Sequence, residues 1–296
     1  MDRNSTIETV ESVLPSHPDK VADQIAEAIL DDILKQDPEA RVAIECFGTN
    51  GTLLIGGELT TNAYSDMKKI AQDVLKEVGY DTKGILLAVN QQSPEISKLA
   101  NKGAGDSGMV YGYACDETPE LLPWSIVEVH KRAREYFKQY KGDGKVQITV
   151  EDKKVIKEVS KLQHRDFELG GFEADTGLTG RKTQVDTYCG LIRHGGGAFA
   201  GKDPSKVDKS GALWARFLAR QVVKEFKGEC MVRLSFEIGN PYPVEVWSDR
   251  SEFSKIYSNF EMSVPEFIEK LELRKPIWKD LACYGYFGRK GYKWEE

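Results

Sequence analysis

The chain has 296 residues, 40% of them hydrophobic and 30% charged, with a formal net charge of −6. That length can bury a large core, as one large domain or as two or three small ones. The acidic balance argues against general nucleic-acid binding, so any basic patch is local and suits a small anion better than a polymer. No stretch approaches the roughly 20 apolar residues of a membrane span, and MDRNSTIETV lacks the apolar core of a signal peptide. Cys46, Cys115, Cys189, Cys230 and Cys283 are scattered without zinc or thioredoxin spacing. Free thiols in a reducing cytoplasm are the expectation.

Val21, Ile25, Ile29 and Ile33 recur every four residues, which predicts a helix running to Gln36 and stopped by Asp37-Pro38. Residues 41–47 and 52–59 read as strands joined into a hairpin by the Gly-Thr-Asn-Gly turn at 48–51. A second helix is expected over 63–78, then a short apolar strand over 84–89. Residues 92–108 read as a loop rich in Gly, Ser and Asn. Leu122, Ile126, Val129, Ala133 and Phe137 place a third helix over 119–140. Residues 145–150 and 154–159 read as another hairpin, 210–226 as a fourth helix, and 230–238 and 243–247 as strands. Ser263 and Glu266 have the capping-box pattern for a last helix near 265–273. Helices mixed with hairpins predict an α+β fold with antiparallel or mixed sheets, not a parallel doubly wound one.

The chemistry concentrates between Asp175 and Asp208. Arg181, Lys182, Lys202 and Lys206 alternate there with Asp175, Asp186, Asp203 and Asp208 around the glycines at 195–197. Cations neutralise phosphate oxygens, carboxylates hold the Mg²⁺ that accompanies polyphosphate, and glycine lets a backbone approach a ligand. A solvated charged turn is the plain alternative; a polyphosphate site is the reading favoured here. A Walker P-loop is excluded, because Asp203 follows Gly201-Lys202 where Ser or Thr is required. Lys206 and Asp208 would face opposite ways on a helix, so serving one ligand would require the helix to begin near Lys209.

Three smaller clusters accompany this one. His17, Asp19 and Lys20 span the first turn of the first helix, where free N–H groups favour anions. The plainer reading makes Ser16 or Asp19 a cap and His17 incidental. Gly103-Ala-Gly-Asp-Ser-Gly108 presents Asp106 from a tight backbone, or is a surface turn. Glu45 and Glu58 interrupt the apolar first hairpin, either facing solvent or acting as a functional pair.

With these clusters in hand, the chain resembles the S-adenosylmethionine synthetases (methionine adenosyltransferases). The resemblance rests on ESVLPSHPDKVADQI, RVAIECF, GGELTT, QQSPEI, GAGDSG, DTGLTGRKTQVDTY, RHGGGAFAGKDPSKVDKSGA and YGYFGR, with the WE near the end. It implies a pseudo-threefold arrangement of sheet-plus-helix subdomains, here approximately 1–110, 111–175 and 176–296 with interleaved segments. It also implies a homodimer, or a pair of dimers, with shared active sites. Methionine sulfur would attack C5′ of ATP, and the displaced triphosphate would be cleaved to pyrophosphate and phosphate. A nucleotide-binding regulatory homologue without activity is the alternative.

Carried over by position, His17 would stabilise the departing oxygen. Lys145, Arg181, Lys182, Lys202 and Lys206 would bind phosphates, with Asp19 and Asp208 each on a Mg²⁺ and Glu45 on K⁺. Glu58 and Gln92 would hold methionine's amino-acid end, with Asp106, Asp175 and Lys206 beside it. Phe167 would stack on adenine, and Asp143 and Ala198 would line the ATP site. Glu11 is a weaker candidate for the same pocket. The resemblance places Ser16 where the family has Gly, Ser107 where it has Gln, and Asp166 where it has Arg. It also implies a shortened lid loop after Gln92 and a shortened central region before Phe167.

Overall fold

The computed structural model describes residues 7–93 and 103–296. The lid segment lies, from Pro94 to Lys102, outside the described residues. The chain opens with β1 (Ile7–Val13), α1 (Pro18–Gln36), β2 (Arg41–Thr49), β3 (Thr52–Thr60), α2 (Met67–Glu77) and β4 (Gly84–Asn90). Then come β5 (Gly108–Cys115), α3 (Trp124–Tyr140), β6 (Gly144–Glu151), β7 (Lys154–Leu162), α4 (Gly171–Ala174), β8 (Gly177–Leu178) and α5 (Thr183–Tyr188). It closes with α6 (Val207–Phe226), β9 (Glu229–Phe236), β10 (Glu245–Ser248), α7 (Phe253–Tyr257) and α8 (Val264–Lys270).

These elements form three sheets, in the orders β4-β3-β2-β8, β1-β6-β7 and β10-β9-β5. In the first, β2 and β3 are an antiparallel hairpin and β4 adds to β3 in parallel. Asn50 and Gly51 turn the hairpin with positive φ (47° and 70°), the mirror-image turn that matches strand twist. The apolar stripe of α1 packs against this sheet, with Val21, Ile25, Ile29 and Ile33 wholly buried. The second sheet is antiparallel, and α3 closes a small separate core over it containing Val10, Val129, Val146 and Ile148. The third is also antiparallel and is covered by α6. Each sheet therefore buries one face under a helix.

Several boundaries differ from the sequence expectation for identifiable reasons. α2 starts at Met67, because Asp66 caps it by accepting from Lys69 N at 3.0 Å. α3 starts at Trp124, because Thr118 and Leu122 close a tight turn ahead of it through the Thr118 hydroxyl. Ser263 sits at the N-cap of α8 but makes no side-chain capping bond, so the capping box does not form. The start of α6 at Val207 corrects the argument that the helix must begin near Lys209.

β1 and β5 were not foreseen. β5 contains Gly108 and Gly112, which weaken a strand signal. Gly112 is present for packing: a Cβ there would lie 2.0 Å from the Ala215 carbonyl carbon, so α6 reaches the sheet only over bare backbone. Gly112→Ala should therefore destabilise the fold by about 1–3 kcal/mol through overpacking. Urea unfolding reads this directly, and an unchanged midpoint would mean that the seat of α6 has slack.

Candidate active site

The site is built along one edge of β2. Gly177 and Leu178 pair with Gly48 and Phe47, and Thr179 exchanges bonds with Cys46, its N–H reaching Cys46 O at 3.0 Å. The chain then leaves the sheet and returns to the same edge. Ile44 N donates to Gly201 O at 3.0 Å, Lys202 bridges Ala43, and Asp203 N donates to Val42 O at 3.0 Å. Both ends of the basic loop are thus pinned to one strand. Cys46 and Ala43 are three residues apart, so the two anchors stand roughly 10 Å apart.

At the first anchor, His17 caps α1, its Nδ1 accepting from Asp19 N at 3.2 Å. Ser16 does not take that role; its hydroxyl donates to Val78 O at 3.2 Å. Asp19 is fully buried and meets Leu178 N at 3.0 Å, Arg181 Nε at 2.9 Å and Lys182 Nζ at 2.6 Å. Burial pushes its carboxyl up, but the Lys182 and Leu178 hydrogen bonds outweigh burial and hold it below the usual range. The His17 ring is lowered to about 4, by burial first and then by the Lys182 charge. It is neutral at neutral pH. Since Nδ1 accepts, the ring proton sits on Nε2.

A second corner adjoins this one. Asp143 accepts from Gly171 N at 3.2 Å and is raised to about 6, by burial first and further by Asp175 and Asp19. Asp175 is exposed just beyond α4. Lys145, on β6 opposite Val13, is exposed and lies 3.9 Å from Glu11. Phe167 is half-buried and bridges Gln163. Asp166 holds Leu162 N at 2.9 Å and pairs with Arg165, so it shapes the turn before Phe167. Among the described residues no hydrogen bond or ion pair joins Lys145 or Phe167 to the basic loop.

At the second anchor, Lys202 Nζ meets Asp208 Oδ2 at 2.5 Å, and Lys206 Nζ meets buried Asp203 at 2.7 Å. Gly195 and Gly197 fit here because side chains would not. A Cβ on Gly195 would stand 1.8 Å from Met109 O, and one on Gly197 would stand 2.2 Å from the Asp208 carboxyl carbon. Ala198 sits at the other end of the loop, 2.4 Å from where a Cβ on Gly180 would project. The segment carrying Asp106 is tied in by Gly105 N, which donates to Ser205 O at 2.9 Å. Ser107 accepts from Ile238 N at 2.8 Å.

Glu45 and Glu58 share a shallow depression of about 410 Å³ with Ala43, Phe47, Leu54 and Leu178. Ala43 pairs with Glu58 on one side and bridges Lys202 on the other, so a carboxylate and an ammonium residue flank one alanine. Gln92 is largely buried, and its Oε1 has no hydrogen-bond partner among the described residues. No cluster of three or more His, Cys, Asp or Glu able to hold a metal occurs among them. Asp203 and Leu178 matter most among residues the sequence reading gave no specific role. Asp203 anchors β2 through Val42 N at 2.8 Å while neutralising Lys206. Its place three residues before Lys206 hinted at the ion pair; the strand contact had no local signal.

Comparison with known families matches this architecture along its length. The N-terminal, central and C-terminal domain models of S-adenosylmethionine synthetase match residues 5–100, 101–164 and 169–296. The chain belongs to the S-adenosylmethionine synthetase family. Its three sheet-and-helix units are that family's α+β fold. The S-adenosylmethionine synthases of Mesoplasma florum, Treponema denticola and Sorangium cellulosum are 39%, 37% and 37% identical to it. Each comparison covers 97% of this chain, and 96%, 95% and 87% of those proteins in turn. The comparison with the Treponema protein runs over 369 positions, more than the 296 residues present here, so that relative carries internal segments this chain lacks.

The neutral His17 gives a pH prediction. The free ring binds its proton near 6.5 and the folded one near 4, so protonation opposes the fold and this group's stabilisation is lost as pH falls through that window. In a ¹⁵N-detected histidine titration, the His17 ring should hold its neutral Nε2–H form above pH 5. A midpoint near 6.5 would contradict the buried capping geometry.

Proposed function

We propose that the chain makes S-adenosylmethionine from ATP and L-methionine. The observation that carries this reading is the basic loop. Its cations are fixed at two points on β2, one beside the N-terminus of α1 and the other beside Glu58. Such an arrangement suits a long polyanion attached to a reacting carbon.

Methionine sulfur attacks C5′ of ATP. The S–C bond forms as the C–O bond breaks, and the triphosphate leaves with the electron pair. A thioether carries no proton to remove, so no general base is required. What the reaction requires is stabilisation of charge collecting on the leaving group. Arg181, Lys182 and Lys202 supply it, exchanging their contacts with Asp19 and Asp208 for phosphate oxygens. His17, neutral and protonated at Nε2, donates a hydrogen bond to the departing oxygen. Lys145 and Lys206 complete the phosphate shell, and the same cations hold the triphosphate for its cleavage. Glu58, Gln92 and Asp106 orient methionine; the Oε1 of Gln92, without a hydrogen-bond partner among the described residues, is a ready acceptor for its ammonium group. Asp175, Asp143, Ala198 and Phe167 line the nucleoside side, with Glu11 beside Lys145.

Asp19 and Asp208 would hold Mg²⁺, and Glu45 would hold K⁺. The donor set fits: single carboxylates beside a phosphate shell suit Mg²⁺, which keeps waters and takes few protein ligands. When bound, the metal ions supply further positive charge to the triphosphate. The homodimer reading draws support from the outer face of the first sheet. Phe47, Leu54 and Leu86 form a register-matched row across three strands and are 40%, 37% and 61% exposed. A second copy covering that row would also enclose the depression holding Glu45 and Glu58. No helix among the described residues is long and apolar enough to cross a membrane. A cytoplasmic enzyme is the reading adopted here.

The deciding experiment is methionine-dependent formation of S-adenosylmethionine from ATP. Its absence, with ATP still bound, would favour a regulatory homologue. Lys202→Ala should lower kcat on the order of 10²–10³-fold while changing the KM for methionine little, since its partner charge grows in the transition state. A raised KM at unchanged kcat would remove Lys202 from that role. His17→Ala should depress S-adenosylmethionine formation more than hydrolysis of added tripolyphosphate. Equal losses would place the ring on the phosphoanhydride chemistry instead.

A further inference from the structure

Four acids recur every four residues along α1: Asp19, Asp23, Glu27 and Asp31. That spacing keeps them on one face of the helix. All four are buried. Each accepts a backbone N–H from a distant segment. Asp19 takes that of Leu178 (3.0 Å), Asp23 that of Gly180 (2.8 Å) and Glu27 that of Gly201 (3.1 Å). Asp31 takes those of Trp278 and Lys279, each at 2.9 Å.

The two middle partners are the glycines at the ends of the basic loop. Gly180 precedes Arg181 and Lys182, and Gly201 precedes Lys202. Both have positive φ (86° and 75°), and a Cβ on Gly201 would stand 1.9 Å from Ile44 O. The backbone there has little freedom, so the direction of its N–H sets where the next side chain starts.

Glu27 is the more telling of the two. Its remaining capacity is filled by Lys209 Nζ at 2.9 and 3.0 Å and by the Tyr286 hydroxyl at 2.8 Å. Neither side chain of the Glu27–Lys209 pair is exposed at all, and Lys209 lies 4.1 Å from the Trp278 ring centroid. Buried pairs of this kind are often no more stabilising than apolar residues of equal volume. Holding a helix against a sheet does not require one. Aiming an acceptor at one particular N–H does require a polar group with its other contacts satisfied.

We propose that Glu27 is a positioning residue for adenosyl transfer: through the Gly201 N–H it fixes Lys202 against the triphosphate. Asp23 does the same for Arg181 and Lys182 through Gly180. Neither acid touches substrate. The inference rests on the phosphate role of Lys202 given above.

Two double variants test it, both lacking the buried charges. Glu27→Gln with Lys209→Met keeps an acceptor for Gly201, whereas Glu27→Met with Lys209→Met removes it. The first should lose kcat by several-fold at most. The second should lose a further 10- to 100-fold at unchanged KM for methionine, since a misplacement of about 1 Å costs on the order of 10² in rate. Equal kcat in the two overturns the proposal, because a purely structural pair affects both alike. If the second variant fails to fold, an ester in place of the Gly201 amide removes the donor and leaves Glu27 and Lys209 whole. The ester protein should show the same kcat loss, and full turnover overturns the proposal. Lys202→Ala separates the two failures. If Lys202 matters and the acceptor does not, only the Glu27 assignment falls. If Lys202→Ala turns over normally, the phosphate role of Lys202 falls and takes this inference with it.

Discussion

Everything at the site depends on the free edge of β2 being used twice. A strand edge offers alternating N–H and C=O groups that must find partners. Here residues 177–179 take one part of the edge and 201–203 take the other. The loop between them carries its cations out of the sheet at one point and back at another. Loop closure over some twenty residues has a modest entropic cost, and backbone bonds at both ends offset it. Cation spacing therefore follows from strand geometry and not from the loop's own stiffness.

The electrostatic state of the site follows from that placement. Four cations held within a short span repel one another unless acids lie between them. Asp19, Asp203 and Asp208 supply those acids: Asp19 engages Arg181 and Lys182, Asp208 engages Lys202 and Asp203 engages Lys206. The pairs differ in kind. Lys206 and Asp203 are buried together, while Arg181 and Lys202 remain partly open at 44% and 17% exposure. The more open cations can exchange a carboxylate for a phosphate without dismantling the fold. The buried pair holds the start of α6 in place, with Lys206 at its N-cap. The same stretch of sequence thus supplies cations that exchange partners and one, Lys206, that keeps Asp203 while its ammonium has further donors to offer a ligand.

How legible this was from sequence depends on how local each signal is. The helix carrying Val21, Ile25, Ile29 and Ile33, and both hairpins, were readable because periodicity and turn residues act over a few positions. β5 was not, since Gly112 serves a helix one hundred residues away, over the carbonyl of Ala215. The start of α6 was misplaced for a related reason. Lys206 and Asp208 were kept out of the helix so that both could serve one ligand, whereas each finds its own partner. The residue types of the site were legible. Their pairing was not, because it depends on which backbone segments share an edge.

The glycines show most clearly how sequence and site are coupled. Gly195 and Gly197 could be read as a place where backbone approaches a ligand. In the structure they first allow the backbone to approach the protein itself, against Met109 O and the Asp208 carboxylate. The two functions are compatible. A loop pressed onto β5 and onto the start of α6 brings Asp208 beside it, and Asp208 engages Lys202. Removing bulk there sets the distance between the third sheet, which carries the loop's contact with β5, and the first, which carries its ends. On the function proposed above, a polyphosphate with its cations would lie in that interval. A side chain at 195 or 197 would change that interval before it met any ligand, which is a physical reason for glycine at both positions independent of what binds.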